Sequence, residues 1–292
     1  MTADEILSHS ALEPSVRGQA QSLLSMQEAA PRIASVFATQ QRWLMAHAAL
    51  AQYFRSEACA AGAGLLTERF LEAIERHDIA SRNTASAFLK EMLQYDIVRP
   101  VTNRAGRRHR AFEPAPAVLA ALLGWHVLHL ATLDRLDGGG RVATFNADPA
   151  LLRAIEPLVA DGLIGSNKVR EPEGTFSLFT WVNEGGIVMD RLIVGCQQPS
   201  SDGRIATDVT SVSALAQRLA LSRTQLGRKF AEAEAMGSLG WSGARGKSPL
   251  WVAEDFRRQY LSAQAVKLAI IDAAFEACAM RVPHCAGEAV SA

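Results

Sequence analysis

The stretch that most constrains the fold runs from Ser211 to Val252, SVSALAQRLALSRTQLGRKFAEAEAMGSLGWSGARGKSPLWV. Val212, Leu215, Ala216 and Leu219 fall at i, i+3, i+4 and i+7, the spacing that lays one apolar stripe along a helix. Ala220 and Leu221 then form a turn. Ser222 offers a hydroxyl that accepts a bond from an otherwise unpaired N–H of the next helix. That second helix, from Arg223, buries Leu226, Phe230 and Ala233, which turns Arg223, Thr224, Gln225, Arg228 and Lys229 outward. Leu239, Gly240 and Trp241 read as a strand, Ser242 to Ser248 as a glycine-rich tip carrying Arg245 and Lys247, and Leu250 to Val252 as the returning strand.

The same pattern occurs earlier in the chain. SRNTASAFLKEMLQYDIVR from Ser81 can be laid on SRTQLGRKFAEAEAMGSLGW from Ser222 at a constant offset, so that Ser81 meets Ser222, Arg82 meets Arg223, Ala85 meets Leu226, Leu89 meets Phe230 and Val98 meets Leu239. The turn ahead of Ser81 is about one residue longer. Val98 to Val101 then reads as a strand, Asn103 to Gly106 as a hairpin turn and Arg107 to Phe112 as the return. Between Arg99 and Arg110 stand five arginines and His109 with no acid. Helix, turn, helix and basic hairpin, in that order, resemble the winged helix of bacterial regulators such as the MarR family.

The expected fold is therefore mainly α: two winged helix-turn-helix domains in tandem, with small β-hairpin wings and long flanking helices. A chain of 292 residues is long for one such unit and comfortable for two domains of ordinary size. Residues 1–140 form the first domain, 141–282 the second, and 283–292 read as a disordered tail.

In the first half, residues 13 to 26 form a short amphipathic helix. Pro31 fits the first turn of the next, which runs through Phe37, Trp43, Leu44, Leu50 and Phe54 until the small residues 58 to 64 break it. Thr67 caps a helix carrying Phe70, Leu71 and Ile74. Past the first wing, Pro114 and Pro116 introduce a long apolar helix to about Leu136, and residues 137 to 141 separate the halves. This helix has few charges, but its strongly apolar part is only about 17 residues long, at the lower edge of what spans a bilayer. It reads as a buried helix, and no membrane partner is expected.

In the second half, Asp148 and Pro149 open a helix with Leu151, Leu152 and Ile155, which Pro157 should kink or end. Phe176 to Val194 is the counterpart of the Trp43 helix, Gln198 to Asp208 is a polar loop, and Ala253 to Met280 is the final helix.

Thirty basic and thirty acidic residues cancel, so any attraction to nucleic acid must be local. The scattered cysteines (Cys59, Cys196, Cys278, Cys285) contain no CxxC pair and fit free thiols in a reducing compartment. Acids replace the basic residues of a secretory signal in MTADEILSHS, so a cytoplasmic location is expected.

The candidate DNA-contacting residues follow from the two units. Ser81, Arg82, Asn83, Thr84 and Ser86 begin one second helix; Ser222, Arg223, Thr224, Gln225, Arg228 and Lys229 begin the other. Arg99, Arg104, Arg107, Arg108, His109 and Arg110 belong to one hairpin, Arg245 and Lys247 to the other. Arginine suits guanine, asparagine and glutamine suit adenine, and cations on a hairpin suit phosphate. Double-stranded DNA is the expected partner, read by two heads about 34 Å apart from a single chain. The resemblance also implies a small-molecule effector between the exit helices and the reading domains.

The rival function is a winged-helix scaffold that binds protein, or forms a homodimer through the apolar helices 117–133 and 253–280. Zero net charge favours it. His126 and His129, three apart with no Cys, Asp or Glu at ligand spacing, read as buried histidines and not as metal ligands. Trp43, Trp125, Trp181 and Trp241 read as core filling in preference to an effector pocket. No nucleophile triad, P-loop, dinucleotide fingerprint or zinc-protease motif is present, so neither catalysis nor a cofactor is expected.

Overall fold

A computed structural model describes residues 1–30, 39–60, 62–102, 108–172, 174–180 and 185–279, and side-chain detail within 102–110 is not part of that description. The architecture is mainly helical, with fourteen helices and two small antiparallel sheets among the described residues. The first half contains α1 (Ala3–Ser8), α2 (Leu12–Ala29), α3 (Gln40–Cys59), β1 (Leu65–Leu66), α4 (Thr67–Arg76), α5 (Arg82–Gln94), β2 (Val98–Thr102), β3 (Arg108–Pro114) and α6 (Pro116–Asp137). The second contains α7 (Arg141–Ala147), α8 (Ala150–Gly165), α9 (Asn167–Arg170), α10 (Gly174–Thr180), α11 (Gly185–Gly195), β4 (Arg204–Ala206), α12 (Val212–Arg218), α13 (Arg223–Ala235), β5 (Leu239–Trp241), β6 (Leu250–Ala253) and α14 (Glu254–Ala279).

Each half carries the same run: short strand, two helices, two strands, long helix. The sheets share an order in which the third strand is central, β1-β3-β2 and β4-β6-β5. Helices α5 and α13 are both 13 residues long, and Arg82 to Arg223 and Gln94 to Ala235 are the same shift of 141. Serine caps both: Ser81 Oγ accepts from Thr84 N and Ser222 Oγ from Gln225 N. Their interiors match as well, with Ala85 and Leu89 buried in one, and Leu226 and Phe230 in the other. Asp96 after α5 and Gly237 after α13 occupy the same left-handed position, at φ 55° and 72°. Ahead of the caps the two differ by one residue, since the left-handed residue is Asp78 in the first turn and Ala220 in the second.

The flanking helices of both halves meet in one continuous apolar core running from Ile6 to Cys278. Helix α3 packs along α8, α2 along α11, and α14 against α1, α6, α8 and α10. Helix α6 is long and apolar enough to cross a membrane, yet Val118, Leu122, Leu130, Leu133 and Leu136 are buried in this core.

Several local expectations change. Helix α8 continues through Pro157 to Gly165. Proline removes one backbone hydrogen bond, and packing against α3 and α14 carries the helix across. Pro149 is its N-cap, with Asp148 Oδ1 accepting from Ala150 N at 2.9 Å. The apolar run 176 to 194 is divided between α10 and α11. A Cβ on Gly185 would meet the Phe179 carbonyl oxygen at 1.7 Å, so the chain passes there at a distance open only to glycine. Thr67 is the first residue of α4 and makes no cap, Leu66 being the N-cap. Strand β4 falls within a segment read as loop, and β1 lies at residues 65 and 66, which the sequence pattern assigns to no element. Each is too short to show a hydrophobic period and exists only because β3 or β6 pairs with it from afar. Pro31, Phe37, Met280, Cys285 and the tail from Pro283 lie outside the described residues.

Candidate functional site

Two features stand out: the outward surfaces of the paired helix and hairpin units, and a cavity among the flanking helices.

On α5, Ser81, Arg82, Asn83 and Thr84 are exposed and Ser86 is half-buried. On α13, Ser222, Arg223, Thr224, Gln225 and Arg228 are exposed and Lys229 is half-buried. The cap serines already use their hydroxyls within the helix. Acids within and beside the two units partner several of the cations. Arg82 lies between Glu75, at 3.1 Å, and Glu68, at 2.5 Å. Arg99 makes two bonds to Asp96, at 2.9 and 2.7 Å, and holds that carboxyl below its ordinary range. Lys229 and Arg228 both reach Glu232, at 2.8 and 3.8 Å, and Arg245 approaches Glu234 at 3.8 Å. Among the described residues, Arg223 and Lys247 form no ion pair. Arg104 and Arg107 lie outside the described residues, and Arg108, His109 and Arg110 lie on β3 without side-chain description. Lys90, exposed on α5 four residues beyond Ser86, is a further cation on this helix that the sequence pattern did not single out.

The cavity encloses about 600 Å³ and is walled by α2, α3, α6, α9, α10, α11 and α14. Its surface is chiefly apolar, with Met26, Trp43, Leu122, Trp125, Phe176 and Ile187 among the walls. Trp43 and Trp125, expected as core filling, pack against the core on one side and face this space on the other, 6.4 Å apart by ring centroid. Trp241 is not among the lining residues, and Trp181 lies outside the described residues.

Polar groups collect on the α11 and α14 side. Tyr260 Oη donates to Asp190 Oδ1 at 2.5 Å. Burial pushes the Asp190 carboxyl up to about 6, against smaller opposing effects of Tyr260 and Lys267. Burial also pulls the Lys267 amine down to about 8. Sequence reading passed over Lys267, although one signal was there: Tyr260, Gln264 and Lys267 at i, i+4 and i+7 put a lysine beside the core-facing stripe of α14.

Behind the cavity lies a buried polar cluster. Glu156, fully buried on α8, accepts from His47 Nδ1 on one oxygen at 2.7 Å and from His126 Nε2 on the other at 2.8 Å. Burial pushes the Glu156 carboxyl up, and the two histidines outweigh it, leaving the group below its ordinary value. His129 is also buried; its Nδ1 donates to the Trp125 carbonyl at 2.7 Å, and desolvation holds it neutral, far below the usual imidazole range. Both histidines are thus buried, as expected, and His126 has a carboxylate partner that no local spacing could reveal. Among the described residues, no cluster of His, Cys, Asp and Glu has the geometry of a metal site.

Compared with family models, curated proteins and solved structures, the chain matches none.

Proposed function

We propose that the protein is a DNA-binding transcriptional regulator whose two winged helices contact one duplex from a single chain. The observation that carries this reading is the doubled unit: identical element order, identical strand order, and two serine-capped 13-residue helices that each lead with an exposed arginine. In this reading Arg82, Asn83 and Thr84, with Arg223, Thr224 and Gln225, face the major groove. The basic hairpins straddle the adjoining backbone.

A second reading, a protein-binding scaffold, is favoured by a specific observation. Glu68, Glu75, Asp96, Glu232 and Glu234 stand against cations on the same surface. Exposed pairs of this kind contribute little net stability, so a phosphate can take over the arginine at small cost.

Fluorescence anisotropy on a random-sequence duplex separates the two. DNA binding through several phosphates gives an affinity that falls with salt, with a log–log slope of about −0.9 per phosphate contact. We expect a slope steeper than about −3, flattened by one unit or more in Arg107→Ala/Arg108→Ala/Arg110→Ala. Absence of binding at low salt leaves the scaffold reading.

A further inference from the structure

We propose that the cavity among the flanking helices binds a small amphipathic anion, a ligand with an aromatic or aliphatic body and a single carboxylate- or sulfonate-type head that meets Lys267. The inference goes beyond the DNA reading and requires none of it, because the residues concerned lie on α2, α3, α6, α10, α11 and α14 and not on the paired helix and hairpin units.

Size and surface set the body of the ligand. A space of about 600 Å³ falls within the range of pockets that take small organic molecules, roughly 300–1,000 Å³. The Trp43 and Trp125 rings and the Phe176 ring on the wall suit a flat apolar body.

Charge sets the head. Lys267 lines the cavity, and among the described residues it makes no ion pair or hydrogen bond. Lys267 is half-buried on the cavity wall, and an ammonium left without a partner beside apolar walls gains from a complementary anion. The one acid that acts on it is Asp190, whose carboxylate is bonded to Tyr260 and makes no hydrogen bond or ion pair with Lys267. Asp190 therefore acts on Lys267 only through space and leaves the ammonium without a direct partner. When ionised it opposes a second negative charge, so the site suits a monoanion.

Two dyes with the same body isolate the head group: 1-anilinonaphthalene-8-sulfonate and its neutral parent N-phenyl-1-naphthylamine. In the native protein the sulfonate is expected to bind once per chain and at least about tenfold more tightly than the neutral parent, the smaller end of what a charge-assisted hydrogen bond contributes. Lys267→Met should abolish that preference while keeping the affinity for the neutral dye, which also reports that the cavity survives the substitution. Asp190→Asn, which leaves Tyr260 an acceptor and removes the opposing carboxylate, should tighten sulfonate binding. Three results would each overturn the proposal: equal affinity for the two dyes in the native protein, an unchanged preference in Lys267→Met, or no binding of either dye, as when part of the chain itself fills the space.

Discussion

Replacing Arg141 with methionine is expected to lower the unfolding free energy by about 3–5 kcal/mol, the usual result of removing one partner from a buried ion pair. Asp272 on α14 is completely buried, and its Oδ1 accepts from Arg141 Nε at 2.7 Å while the Met1 amine takes its other oxygen. The same guanidinium reaches Asp137 at 2.8 and 2.7 Å, and Asp134 at 3.3 Å. One side chain thus ties the end of α6 to α7 and to α14, across the boundary between the halves. Methionine keeps most of the volume and leaves the Asp272 carboxylate in the core with only the amine. Urea unfolding of Arg141→Met and of Arg141→Lys reads the effect, with the lysine variant intermediate because it keeps the charge without the planar fork. A loss below about 1 kcal/mol for methionine would mean that Asp272 is satisfied in another way. Acid has a matching effect. Arg141 holds the Asp137 carboxyl down to about 2, below its ordinary 3.8. That contribution is complete above the unfolded value and is lost as pH falls through the folded one. The native protein should therefore lose stability between about pH 4 and 2, and Arg141→Met should lose less over the same range.

The second large effect is expected at Glu156. Its oxygens receive one bond each from His47 and His126, all three groups being buried, so Glu156→Leu leaves two imidazole groups without their acceptor in the core. At about 1–3 kcal/mol for each buried group that loses this acceptor, the loss should be about 2–6 kcal/mol. Glu156→Gln should cost markedly less. The amide keeps one acceptor oxygen, and a neutral imidazole can change tautomer and accept from the amide nitrogen. Denaturant midpoints for the two variants test this ordering; equal losses would assign the cost to packing around Glu156 and not to the histidine bonds.

Both networks join residues that are far apart in the chain, and this marks what the sequence could reveal. The serine caps, the buried positions of α5 and α13 and the strand–turn–strand after α13 were all legible, because each depends on a spacing of a few residues. Pairing of Arg82 with Glu68 and Glu75 was not, since it needs the angle between α4 and α5. Nor was the cavity. Trp43, Trp125, Asp190 and Lys267 come from four helices separated by the two units, and nothing in the order of residues distinguishes a tryptophan that faces a space from one that fills it. Helix α8 passing through Pro157 has the same origin: local backbone chemistry argues for a kink or an end, and burial against α3 and α14 carries the helix on to Gly165.

The most direct test of the proposed DNA-binding function is hydroxyl-radical footprinting on a duplex selected from random sequence. Two protected segments about one helical turn apart are expected. Arg82→Ala/Asn83→Ala should erase one of them and Arg223→Ala/Gln225→Ala the other. A single segment that survives both pairs of substitutions, or no protection at any salt concentration, would contradict a chain that reads DNA twice.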